Sequence, residues 1–438
     1  MHIHVLGFGA IGTLVSHYLR AALDPKHTVS VVHKTAATAI KASHLPGVKL
    51  ERNGVVRTER GILHVASDPS AYALLKEQEA TLHPAAQRET DEPPTQTEPV
   101  QQHSAGPIES LIVATKAPEA VSGIRALLPR LSAASTIVLL HNGMGVYEQL
   151  IGDVFRNRLH RPHIVVSVNN HGAFVKDFGQ VVHTGVGSIE LGIMADTHGR
   201  DFEGSIDTSL PKEEQKPELN DITPLQRDPD ATRYLSLRNT ISALTSTTAL
   251  DVSWRPLADV QLAMHRKLAV NCVINPLTAL LACRNGDLFK HPSGRRLAAQ
   301  ICQEISNVFY AEWRREDEAS AATDDSTDED VTFVPSSIAF LPVSRRIVLQ
   351  NPFPAGLHQQ QLLDECARVA ELTRANVSSM LVDIRRGRPT EIHCLNGYIL
   401  KLAKKHRVSV PVTAALIDLI HLRQKIPIDK PVPLLSVL

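Results

Sequence analysis

The sequence predicts an α/β protein in two parts: a domain built on an open sheet, followed by a mainly helical domain. Three observations carry this. A strand-like run, His2 to Leu6, enters GFGAIG and then TLVSHYLRAAL, which reads as a helix. Further apolar runs in the first 250 residues end in polar or small residues, as strands of an open α/β sheet do at their ligand edge. Beyond Asp251 the apolar residues recur at helical spacing, with no strand of consequence. The expected domains are therefore 1–250 and 251–438.

A chain of 438 residues has room for two or three domains, and a hydrophobic fraction of 43% is ordinary for a globular protein. Lysine plus arginine equals aspartate plus glutamate, 46 each, so overall charge makes no case for nucleic acid or a membrane surface. Five scattered cysteines, none in a CxxC pair, argue against a disulfide framework and a thiolate metal site, and suit a reducing compartment. The cytoplasm is the expected location, with the mitochondrion left open. No apolar run approaches the ~20 residues needed to span a bilayer. The chain opens directly into a strand, which leaves no room for a leader peptide before it.

Strand, GxGxxG and helix form the arrangement of a Rossmann-like dinucleotide-binding domain. Gly7 permits the tight turn, Gly9 lets the backbone approach a pyrophosphate, and Gly12 lets the helix pack closely on the strand. The loop residues Phe8, Ala10 and Ile11 then bring peptide N–H groups to the phosphates. The next strand, His27 to Val32, ends in His33-Lys34-Thr35. An NAD site would place a carboxylate there, on the ribose hydroxyls. A cation stands instead, which favours the 2′-phosphate of NADP with Lys34 as its partner; a solvated lysine is the plain alternative. Leu111 to Thr115 is a buried strand that puts Lys116 at its carboxyl end. Thr136 to Gly145 runs into a turn that carries Asn142 and Gly143. Val165 to Phe174 repeats the theme, with Gly172 and Ala173. Val181 to Gly192 reads as a hairpin turning at Gly185 and Gly187.

In the second half, Thr232 to Leu250 reads as a helix and Asp251 to Trp254 as a short strand. A long helix follows, which the proline of Asn275-Pro276 should interrupt. It carries Lys267, Asn271 and Asn275 four residues apart, so all three share one face. A lysine and neutral amides on one face suit a small anionic molecule with a carbonyl. Asn285 follows after a break. Ser293 to Arg314, Gln359 to Ala375, Gly397 to His406 and Thr413 to Arg423 are helices by periodicity. In SSMLVDIRRGRPTEIHCLNG, Ser379 lies near a helix start, and Glu391 begins a helix for which Thr390 is a plausible N-cap.

Three stretches carry too few large apolar residues for a core: 77–107, 195–231 and 316–330, the last with eight acidic residues and no basic one. Each is expected to be a disordered or loosely ordered surface insertion.

Taken together, GFGAIG, the TKA of Thr115 to Ala117, HNGMG at His141 to Gly145, KLAVNCVINPLTAL and SSMLVDIRRGRPTEIHCLNG resemble the ketopantoate reductase (2-dehydropantoate 2-reductase) family. They fall in the family's order along nearly the whole chain outside the insertions. The resemblance implies NADPH-dependent reduction of 2-dehydropantoate to (R)-pantoate, in the pathway to pantothenate and coenzyme A. It also implies a Rossmann domain, a helical domain and a site in the cleft between. By position, Lys267 matches the catalytic lysine, and Asn271, Asn275, Asn285 and Ser379 match substrate-binding positions. Asn142 matches a position near substrate and nicotinamide, and Glu391 the glutamate that contacts the cofactor and orders the site. Gly7 to Gly12, Lys116 and Ala173 match cofactor-contacting positions. The family commonly has Asp where His393 stands, and some members have arginine at Lys34.

The chemistry agrees with the residues: Lys267 stabilises charge developing on the ketone oxygen and donates the proton, its pKa lowered by partial burial. The partners expected are a small 2-keto acid and NADP, with no metal, nucleic acid or membrane; a homodimer is compatible with the sequence. Two other readings stay open: an NADP-dependent reductase of another 2-keto acid, and a catalytically silent NADPH-binding sensor.

Overall fold

The structure, a computed structural model, describes residues 1–68, 70–75, 106–211, 214–323 and 352–426. The chain forms two compact units. Met1–His141 and Gln149–Val260 make the first; Asn142–Glu148 and the chain from Gln261 onward make the second.

In the first unit the strands are β1 (His2–Leu6), β2 (Thr28–His33), β3 (Val48–Arg52), β4 (Val55–Glu59), β5 (Ile62–Ala66), β6 (Ser110–Val113), β7 (Thr136–Leu139), β8 (His163–Asn169), β9 (Gly172–Asp177), β10 (Gln180–Gly185), β11 (Ile189–Ile193) and β12 (Val252–Trp254). Eight of them form one sheet, ordered β12-β11-β8-β7-β6-β1-β2-β5. It is parallel from β5 to β8; β11 then runs antiparallel to β8, and β12 parallel to β11. Every residue of β6, β7 and β8 is buried, as expected of parallel strands covered on both faces. Because β1 lies between β2 and β6, the strand order reverses beside it, which opens a ligand crevice at the carboxyl ends of β1 and β6. Leu14, Val15 and Leu19 of helix Ala10–Ala22 join Ile3, Val5, Val29, Ile112, Val138 and Val165 in the core.

A second sheet, β4-β3-β10-β9, does not follow from the sequence. It also overturns the hairpin expected over Val181 to Gly192: β10 pairs with β9 and β3, whereas β11 pairs with β8 and β12, so the two belong to different sheets. Glycines that look like a hairpin turn are a crossing. At Gly187 a Cβ would lie 2.4 Å from the carbonyl of Asn170, so the chains cross closer than any side chain permits.

The stretch 195–231 is another departure, for where it is described it is packed rather than loose. Phe202, Ile206 and Ile222 are buried. Arg200 donates to both carboxylate oxygens of Asp228, at 2.6 and 3.1 Å, and lies 3.9 Å over the ring of Tyr234, whose hydroxyl donates to Asp196. A few well-spaced apolar residues and one bidentate ion pair suffice to order a polar sequence. Of the other two insertions, residues 77–105 and 324–330 lie outside the described residues. The first residues of the acidic stretch continue helix Pro292–Thr323.

The second unit is helical, with no strand among its described residues: Leu257–Leu281 (which begins at the end of the first unit), Pro292–Thr323, Gln359–Leu372, Ser379–Arg385, Asn396–His406 and Pro411–Lys425. They enclose Val273, Leu277, Ile301, Ile305, Phe309, Leu381, Ile399 and Ile420. The buried Glu304 carboxylate accepts from the N–H groups of Val412 and Thr413 at 2.8 Å each, capping the last helix.

The expected break at Asn275-Pro276 is absent: the helix is continuous from Leu257 to Leu281, with Pro276 inside it. A proline at 276 leaves the carbonyl of Cys272 without its helical donor. That carbonyl accepts instead from Nδ2 of the fully buried Asn396, at 3.1 Å. The lost hydrogen bond is replaced, so the helix continues.

Among the described residues no helix is long and apolar enough to cross a membrane.

Candidate functional site

The glycine loop has the geometry a dinucleotide requires. Gly7 has φ +106°, and a Cβ there would lie 2.8 Å from Cγ2 of Thr115. At Gly12 a Cβ would lie 2.0 Å from the Gly7 carbonyl oxygen, so the helix start can sit on the turn only without a side chain. Gly9, exposed at the N-cap of helix Ala10–Ala22, has nothing within 4 Å of where its Cβ would be. Two glycines are thus demanded by the protein's own backbone. The third keeps space open over N–H groups that lack intrahelical partners, where a pyrophosphate fits. Ala10 and Ile11 pack on the core, and Phe8 sets its ring edge-on to His33, His64 and Phe178, so what these residues offer a phosphate is backbone.

At the end of β2, His33 is buried and its Nε2 lies 2.9 Å from Nδ1 of His64 on β5. Burial pushes their pKa values down to about 3 and about 4, so the pair is neutral at physiological pH. No carboxylate stands at this strand end, and the exposed Lys34 follows it. Lys116 N-caps helix Ala117–Ala126 directly after Thr115, beside the glycine loop. Ala173 lies on β9, in the small sheet, rather than on the β8 strand that the sequence led it to extend.

The second unit assembles the polar groups. Lys267, Asn271 and Asn275 stand at successive i+4 positions of the uninterrupted helix, each partly exposed between buried neighbours such as Leu268, Cys272, Val273 and Ile274. Desolvation lowers the Lys267 pKa to about 8, with the charge of Glu391 pulling the other way. Glu391 is buried and is itself the N-cap of the 3₁₀ turn Ile392–Cys394. Thr390 does not cap: its buried Oγ1 has no hydrogen-bond partner.

Asn142 opens the segment that joins this unit from the middle of the chain. Gly143, with φ +82°, presses so close to the Cys394 carbonyl that a Cβ would lie 2.6 Å from it, and the N–H of Met144 donates to that same oxygen at 3.0 Å. Asn142 is exposed and is held by this clamp three residues after Glu391. Ser379 is the exposed first residue of helix Ser379–Arg385; the cap is Ser378, whose Oγ accepts from the Leu381 N–H and lies 2.7 Å from Thr278 Oγ1 on the Lys267 helix. Asn285 is anchored elsewhere: its Nδ2 donates to Thr373 and its N–H to the Asn376 carbonyl, in the loop that leads to Ser379. His393, where the family commonly has Asp, is exposed and lies 3.1 Å from His421, ring nitrogen to ring nitrogen.

Asn396, Ser378 and the Gly143 clamp were not evident in the sequence. A proline inside a helix, read as a demand for a replacement donor, was the available signal for Asn396.

Two family models match the chain: Ketopantoate reductase PanE/ApbA over residues 3–196, and Ketopantoate reductase PanE/ApbA C terminal over residues 259–424. The 2-dehydropantoate 2-reductase of Yersinia pestis is 28% identical over 323 residues, covering 72% of this chain and 74% of its own. A probable 2-dehydropantoate 2-reductase of Schizosaccharomyces pombe is 23% identical over 419 residues, 94% of each chain. Among solved structures, D-mandelate dehydrogenase with NADH and anilino(oxo)acetate has a TM-score of 0.60 at 17% identity, covering 97% of this chain and 99% of that one. The probable 2-dehydropantoate 2-reductase from Bacillus subtilis has a TM-score of 0.55 at 21% identity, covering 97% and 100%. The structural likenesses show a shared fold; with both family models matched in order over most of the chain, this protein belongs to the ketopantoate reductase family.

Proposed function

We propose that the chain reduces 2-dehydropantoate to (R)-pantoate with NADPH, the step that feeds pantothenate and coenzyme A synthesis. When bound, NADPH supplies the hydride that converts the ketone carbon to an alcohol carbon. Gly7 to Gly12 and Lys116 hold its phosphates, and Lys34, at a strand end that carries no carboxylate, favours the 2′-phosphate. Lys267, as an ammonium, stabilises the charge that develops on the ketone oxygen and gives that oxygen its proton. Asn271, Asn275 and Ser379 orient the hydroxyl and carboxylate without titrating, Asn285 holds the loop that leads to Ser379, and Glu391 keeps the ammonium charged.

The observation that carries this reading is Lys267: partly buried, brought to about 8, within the influence of the Glu391 charge and in line with two amides on one helix. The test is steady-state oxidation of NADPH and NADH with 2-dehydropantoate and a panel of other 2-keto acids. NADPH and 2-dehydropantoate should give the highest kcat/KM. Preference for another keto acid would reassign the substrate, and cofactor binding without turnover on any of them would make the protein a sensor.

A further inference from the structure

We infer that Asn396 is a positioning residue: it fixes the Glu391 turn against the Lys267 helix through the backbone carbonyl that Pro276 leaves open. The inference rests on the reductase reading of Lys267 given above.

Pro276 has no N–H, so the Cys272 carbonyl, one residue after Asn271, has no donor in its own helix. Asn396 Nδ2 supplies one at 3.1 Å. The Asn396 side chain is fully buried, and its Oδ1 has no hydrogen-bond partner. A carbonyl only accepts, so the amide nitrogen must face it. A buried amide that leaves its own acceptor unsatisfied is otherwise a poor choice for a core position, where an apolar side chain of similar size would serve.

The other end of the link is short. Asn396 opens helix Asn396–His406 five residues after Glu391, and the intervening turn is closed by Cys394 and Leu395 N–H groups donating to the Glu391 carbonyl at 2.9 and 3.2 Å. The Cys394 carbonyl in turn accepts from Met144, which fixes the Asn142 segment. One hydrogen bond therefore ties Glu391 and the Asn142 segment to a point on the helix between Lys267 and Asn275. Another link from that helix, Thr278 with Ser378, serves the Ser379 helix rather than the Glu391 turn.

Proline and asparagine should therefore act as a pair. Pro276→Ala restores the helical N–H to the Cys272 carbonyl, which displaces Asn396 and by itself loosens the Glu391 turn. Four proteins are compared: wild type, Asn396→Leu, Pro276→Ala and the double variant. Two quantities are read. One is the titration of Lys267, from the pH dependence of its acylation by acetic anhydride mapped by peptide mass spectrometry, which needs no substrate. The other is kcat and KM for 2-dehydropantoate.

In the wild-type background Asn396→Leu should move the Lys267 titration down by about half a unit or more, because Glu391 is no longer held near it. It should also lower kcat about ten- to a hundredfold through misplacement. In the Pro276→Ala background both effects should shrink to near zero. Equal effects in the two backgrounds, or an unmoved Lys267 titration in Asn396→Leu, would overturn the inference. Absence of turnover in the wild type would count against the proposed function alone, since the labelling still reads the coupling.

Discussion

At the scale of single residues the proposed chemistry turns on Lys267 and Glu391, and burial and the Glu391 charge act on the lysine with opposite signs. Burial lowers the ammonium pKa, and the Glu391 charge raises it. A proton donor must be protonated in the reactive form, so activity should fall as pH rises through about 8. Glu391→Gln removes the raising charge, and the basic limb of kcat/KM should move to lower pH; a limb that stays in place would remove Glu391 from the electrostatics of Lys267. The i+4 row of Lys267, Asn271 and Asn275 was legible because helical spacing alone puts such residues on one face. The capping details were not. Ser378 rather than Ser379 caps its helix, and Thr390 caps nothing, because adjacent hydroxyls look alike until the backbone settles which one meets the free N–H groups.

Among elements, the glycine loop makes the sharpest demand. Gly12→Ala would place a methyl group 2.0 Å from the Gly7 oxygen, so helix Ala10–Ala22 must shift off its strand. The expected cost is about 1–3 kcal/mol in stability, with cofactor affinity falling at least about tenfold as the N–H groups leave their line. Fluorescence titration with NADPH reads the affinity and thermal melting reads the stability; unchanged affinity would mean that the loop does not cradle the phosphates. The strand, loop and helix were readable because close packing allows only glycine at Gly7 and Gly12. β3 and β4 were not, since VKLER buries only Val48 and Leu50 and VVRTE buries nothing, which leaves little apolar signal to read. The long helix shows the limit of a propensity rule. Proline interrupts a helix when the carbonyl it orphans has no other donor, and Asn396, 120 residues further on, is invisible to local reading.

For the molecule as a whole, two-part architecture followed from a change in hydrophobic period, whereas order within 195–231 did not, because composition says little about a few apolar residues that each find a core. The buried histidines give a global prediction. His33, His64, His163 and His265 are held neutral by burial, at about 3 for the first and about 4 for the others. The unfolded chain binds protons near 6.5 and the folded chain does not, so stability is full above about pH 6.5 and declines as pH falls toward 4. Denaturant melts at pH 7 and pH 5 should differ by on the order of a few kcal/mol, and equal stability would show that these rings protonate in place. The account as a whole stands on Lys267. Its most direct test is NADPH oxidation with 2-dehydropantoate by wild type and Lys267→Ala, alongside NADPH binding. Turnover by the wild type, a loss of about 10²- to 10⁴-fold in kcat in the variant and a nearly unchanged NADPH Kd are the predicted results; a variant that turns over at the wild-type rate would contradict the account.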